Sequence, residues 1–158
     1  MARPREVPEF DCDAPFELAA TRVVELRAAE VFEHSRGVLD LEDVERLHDM
    51  RVATRRLRAA LEVFRPCFPR KRYRGALRPL KALADALGER RDRDVAIEFF
   101  ESFLEGAPAA DRGRLEILIA RLREEQRQAN ESLASFMTEE RLADLRAALD
   151  GLVGAARR

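Results

Sequence analysis

The 158-residue chain has no tryptophan, and Tyr73 is its single tyrosine. It has two cysteines, Cys12 and Cys67, too few for a disulfide scaffold, and free thiols fit a reducing compartment. Its two histidines, His34 and His48, lie near no C-x-x-C or H-x-x-E spacing, so neither a zinc site nor any other metal or cofactor is expected. No glycine-rich phosphate loop occurs. No apolar run approaches the roughly 20 residues of a membrane span. The opening MARPREVPEF is charged and lacks the apolar core of a signal peptide. A cytoplasmic protein is the expectation.

Alanine, leucine, arginine and glutamate, all good helix formers, dominate what is present. Glycines and prolines are sparse, and the spacing predicts an all-α antiparallel bundle of five to six helices in one domain, residues 13–158, behind a flexible tail of residues 1–12. A first helix is predicted from near Ala14 to Arg36, with Phe16, Ala19, Val23 and Leu26 as its apolar stripe and Gly37 as its stop. Asp40 is the expected cap of a second helix that Pro66 ends. Pro69 is placed to start a third, kinked near Pro79 and closed by Gly88. Asp92 or Asp94 would cap a fourth, reaching Leu104. A fifth is expected from about Asp111 to Phe136. Thr138, followed by Glu139 and Glu140, should begin a short last helix.

Charge is segregated along the chain. Residues 46–93 hold 15 basic and 5 acidic side chains, a net of +10, and the remainder, with 14 basic and 25 acidic, carries −11. The stretch LHDMRVATRRLRAALEVF, residues 47–64, concentrates the effect. Met50, Leu57, Leu61 and Phe64 share one side of its helix. His48, Arg51, Arg55 and Arg58 fall at i, i+3, i+7 and i+10 on another, a cationic rail about 15 Å long. The same spacing returns in Lys71, Arg74, Arg78 and Lys81. Two such helices packed side by side would line one basic trough.

A solvated or carboxylate-paired face is the plain alternative. Pairing within the second helix is meagre, however, since only Asp49 and Glu62 oppose its five arginines after residue 50. Like charges at i, i+4, such as Arg51–Arg55 and Arg74–Arg78, repel by a few tenths of a kcal/mol each. An anion-binding surface accounts for that cost, although acidic residues of the first or fifth helix could also neutralise the rail. Arginine grips phosphate oxygens bidentately. The basic segment offers few aromatics for base stacking, which disfavours nucleic acid. No general base with an orienting partner stands out, so no catalytic residue is assigned and an enzyme is not expected. His34 suits the C-terminus of the first helix.

The pattern H-x-x-R-x-x-x-R-R-x-R, carried by His48, Arg51, Arg55, Arg56 and Arg58, resembles the signature of CHAD domains, conserved histidine α-helical domains. LGERRDRDV, residues 87–95, is similar to that family's L-G-x-x-R-D-x-D-V segment. The resemblance spans roughly residues 15–135. It implies an all-α fold whose basic surface binds inorganic polyphosphate without catalysis, and association with polyphosphate granules. By position it assigns phosphate contact to His48, Arg51, Arg55 and Arg58, and to the following basic helix with Lys71, Arg74, Arg78 and Lys81. Arg91, Asp92 and Asp94 look structural, a cap and salt bridge at a helix junction. A full CHAD domain resembles two related bundles, and this chain resembles one lobe, so a homodimer is expected to supply the other. The alternative is a helical interaction protein whose basic face meets an acidic partner or nucleic acid.

Overall fold

The computed structural model describes residues 3–7 and 13–157. Five α-helices follow one another: α1 (Phe16–Glu33), α2 (Val44–Val63), α3 (Arg70–Glu105), α4 (Ala109–Ala134) and α5 (Glu139–Ala156). A 3-10 turn, Arg65–Cys67, joins α2 to α3. Cross-links between elements give the directions. Arg90, Asp94 and Glu101 of α3 meet Asn130, Gln126 and Arg123 of α4 in reverse order, so these helices run antiparallel. Phe16 at the start of α1 stacks on Phe64 beyond the end of α2, at 5.1 Å between ring centroids. Arg146 of α5 covers the Phe32 ring, and Arg157 reaches back to Glu25.

The core lies between α1, α2, the first half of α3 and α5. Ala20, Val24 and Val31 meet Leu47, Met50, Leu57 and Leu61, and Tyr73, Ala76, Leu80, Leu83 and Leu87 close it from α3. Leu145, Leu149 and Leu152 complete it from α5. The predicted α2 stripe is therefore the core side, with Phe64 half-buried at its end. Beyond this core the second half of α3 and α4 form an outer hairpin, packed through Ile97, Ile119 and Ala129.

The largest departure from expectation is α3. The third and fourth predicted helices are one helix of 36 residues, about 54 Å long. Gly88 does not end it. A glycine costs a helix interior only about 1 kcal/mol relative to alanine, and burial of Leu83, Ala86, Leu87, Arg90 and Asp94 on both sides of it outweighs that. Asp92 and Asp94 consequently cap nothing. Pro79 sits inside the same unbroken helix. It cannot donate to the carbonyl of Gly75, but both residues are exposed, so the loss falls on the solvent side of the helix.

Other boundaries moved less. Asp43, not Asp40, is the residue before α2, and it pairs with Arg46 instead of capping. Asp40 accepts from the Glu42 N–H at 2.9 Å, a local turn ahead of the helix. Gly37 adopts φ +70° in the α1–α2 turn, where an L side chain would be strained and would press on Arg46. Thr138 caps α5 as expected, accepting from the Arg141 N–H at 3.2 Å. Within the expected tail, Arg5 is held by Glu30, which accepts its backbone N–H at 2.7 Å, and by an ion pair with Glu33. Cys12 falls outside the described residues.

A candidate anion-binding cleft between two basic helices

The core pattern of each helix decides where its charges go. Leu57 and Leu61 are fully buried, which turns Arg55 outward and leaves Arg58 half-buried at the edge of α2. On α3 the buried stripe is Tyr73, Ala76, Leu80 and Leu83, so Arg74 and Lys81 stand beside it in solvent. Where α2 and α3 converge on their connecting turn, these faces enclose an open cleft of about 1030 Å³. Its walls carry Arg55 and Arg58 from α2, Arg65 from the turn, and Arg70, Arg74 and Lys81 from α3. Glu62 is the one carboxylate among the lining residues, and Ala59, Pro66, Phe68 and Leu77 supply apolar wall.

None of these six cations forms an ion pair with a described residue. Several arginines elsewhere do pair: Arg27, Arg46, Arg90, Arg93, Arg121, Arg123, Arg127 and Arg157 each meet a carboxylate. Carboxylates of α1, α4 and α5 therefore do not neutralise the rail. Arg65 is instead held over the Tyr73 ring, with its guanidinium carbon 5.9 Å from the ring centroid.

Of the eight residues assigned from sequence, Arg55, Arg58, Arg74 and Lys81 meet in this cleft. Arg51 lines an adjoining, shallower cleft with Arg55, Arg58 and Arg93, and there Asp85, Glu89 and Asp92 face them. His48, Lys71 and Arg78 line neither. His48 is half-buried, and its Nδ1 is enclosed without a partner among the described residues. Arg65 and Arg70 were missed, because tracking helical stripes overlooks cations at the turn between two stripes. Their signal was there: both flank the Pro66–Pro69 connection of two basic helices.

The segment read as a helix junction has another role. Arg90, fully buried, donates through Nε to Asp94 Oδ1 at 2.9 Å and through Nη1 to Asn130 Oδ1 at 2.6 Å. Gln126 Nε2 donates to Asp94 Oδ1 at 2.7 Å, and Asn130 Nδ2 to the Leu39 carbonyl at 2.9 Å. This network joins α3, α4 and the α1–α2 turn. Arg90, not Arg91, is the partner of Asp94, and Asp92 is exposed at the adjoining cleft. His34, the residue after α1, faces a shallow pocket shared with Glu33, Asp43, Glu45 and Asp49.

The arrangement defines an all-α bundle with an unpaired cationic cleft between two consecutive helices. The family model for the CHAD domain matches residues 22–158, nearly the whole chain, and the chain belongs to that family. CHAD domains are known in general for binding polyphosphate. No curated protein and no solved structure matches the chain. Among the described residues, no helix is long and apolar enough to cross a membrane, and no three His, Cys, Asp or Glu side chains are grouped to hold a metal ion.

Proposed function

We propose that the protein binds inorganic polyphosphate, without catalysis, in the cleft between α2 and α3. The observation that carries this reading is the gathering of six cations, none paired with a described carboxylate, around one cleft with a single glutamate in its lining. Gathered cations without counter-ions repel one another, and a phosphate chain relieves that repulsion while accepting their N–H donors. The lining holds no histidine, cysteine or serine to act on a bound phosphate. Its two aromatic residues, Phe68 and Tyr73, are buried in the wall, so neither offers an open ring face for a base to stack on. Association with polyphosphate granules follows from such binding. A second copy of the chain is the proposed partner for the face that another lobe would cover.

The test is a titration with long-chain polyphosphate at two salt concentrations, with RNA and DNA alongside. Polyphosphate should bind more tightly than either nucleic acid, and salt should weaken it. Arg55→Glu should lower affinity by on the order of 1 kcal/mol or more, less than a buried contact would give because Arg55 is exposed and screened. Its salt dependence should also be shallower. Arg114→Glu on α4, away from the cleft, is the control. Wild-type affinity in Arg55→Glu with its helical circular dichroism intact would reduce the rail to a solvated face.

A further inference from the structure

Charge along the cleft wall of α3 changes sign. From the turn outward the wall presents Arg70, Arg74 and Lys81, and then, in the adjoining cleft, Asp85, Glu89 and Asp92. The cationic part spans about 16 Å of helix. A phosphate chain held on the α3 wall meets attraction near the turn and carboxylates beyond Lys81, where the cations of the adjoining cleft are Arg51, Arg55 and Arg58 on the α2 wall and Arg93 on α3. The opposite end is closed by the Arg65–Cys67 turn and Phe68, and there the cations are densest: Arg58, Arg65, Arg70 and Arg74.

Two further features sit at that closed end. The α3 N-terminus has no side-chain cap and no acidic residue in its first turn, which is instead Arg70, Lys71 and Arg72. Cations at a helix N-terminus oppose the helix dipole, and an anion there is favoured. The α2 C-terminus beside it has the opposite polarity; the Phe64 N–H meets its Ala60 and Glu62 carbonyls, and the turn carbonyls of Phe64 and Arg65 accept from Cys67 and Phe68. The second feature is Tyr73. Its side chain is only 9% exposed and lines the cleft, yet its hydroxyl has no hydrogen-bond partner among the described residues. This phenol lines the cleft together with Arg58, Arg65, Arg70 and Arg74, where an anionic oxygen can accept from it.

We propose that the closed end of this cleft, with Arg65, Arg70, Arg74 and the Tyr73 hydroxyl, is a seat for the terminal phosphate of a polyphosphate chain. This rests on the polyphosphate reading above and specifies which part of the ligand the site takes. A terminal phosphate carries close to two negative charges near neutral pH, as phosphomonoesters do, and has three oxygens free for donors. An internal phosphate carries one charge and has two bridging oxygens. The dense cations, the closed geometry and the added phenol match the end group, and the chain then leaves through the open face before reaching Asp85.

Stoichiometry tests the proposal. Polyphosphates of several defined lengths are saturated with protein, and the bound number per chain is read by sedimentation. End binding gives two proteins per chain whatever the length. A number that grows in proportion to length overturns it, although the polyphosphate reading would survive. Capping both chain ends as phosphoramidates, which cuts each end from about two negative charges to one, should weaken binding at least tenfold, and unchanged affinity would equally overturn it. Tyr73→Phe, which keeps the ring and its contact with Arg65, should weaken binding of linear tripolyphosphate by about tenfold, the worth of a hydrogen bond to a charged group. An unaltered affinity there removes Tyr73 from the seat and overturns the assignment. If long-chain polyphosphate fails to bind at all, the parent reading falls and this proposal falls with it.

Discussion

Arg90 shows how one position can invert a reading based on residue type. It lies within a strongly basic segment, yet it is fully buried and spends its charge on Asp94 and Asn130. Removing one member of a buried pair leaves the other charge uncompensated, at a cost of about 3–5 kcal/mol. Asp94→Ala should therefore lower the chemical-denaturation midpoint far more than Asp92→Ala, whose side chain is exposed at the adjoining cleft. Similar losses from both variants would place the junction role back on Asp92. Cys67 offers a second test. Burial, and then the nearby negative charge of Glu17, push its thiol above the usual range. The thiolate is the reactive form, so in a Cys12→Ser background Cys67 should react with a disulfide reagent more slowly at pH 8 than after unfolding in urea. Equal rates would contradict the raised value.

At the scale of elements, α3 governs the architecture. Its first half closes the core and supplies one wall of the cleft, and its second half carries the outer hairpin with α4. Two punctuating residues, Gly88 and Pro79, suggested a break that packing overrides, since propensities of about 1 kcal/mol compete with burial of several side chains. The same argument identifies a site for stabilisation. A methyl group added at Gly113, inside α4, would meet nothing within 4 Å. Gly113→Ala should raise stability by about 0.4–1 kcal/mol, a melting-point gain of up to about 2–4 °C for a chain of this size. A fall in melting temperature would mean that α4 needs the flexibility of that glycine.

At the scale of the molecule, the outer hairpin leaves apolar side chains in solvent. Val95, Phe99 and Phe103, at i, i+4 and i+8 of α3, are 48%, 63% and 57% exposed. A stripe of this kind is what a second copy of the chain would cover. Light scattering at tens of micromolar should give twice the monomer mass, and Phe99→Glu should return it to the monomer without loss of helical content. A monomer at that concentration would remove the dimer from the functional reading while leaving the cleft within each chain intact.

The all-α class, the core side of α2, the cap at Thr138 and the two cationic stripes were determined by the sequence alone. Each follows from periodicity or from bonding between neighbours in the chain, and a helix repeats the same geometry wherever it is placed. The family signature was legible for the same reason, being a spacing along one helix. Tertiary structure decided the rest. Whether Gly88 ends a helix depended on what its neighbours bury. Which arginine is sacrificed to the interior depended on Asn130 and Gln126 arriving from another helix. Which stripe residues meet depended on how α2 and α3 approach: Arg55, Arg58, Arg74 and Lys81 converge, while His48, Lys71 and Arg78 point past the cleft and the turn contributes Arg65 and Arg70. A stripe places charge on one side of a helix, but a site needs two sides, and only the packing of the core sets the angle between them.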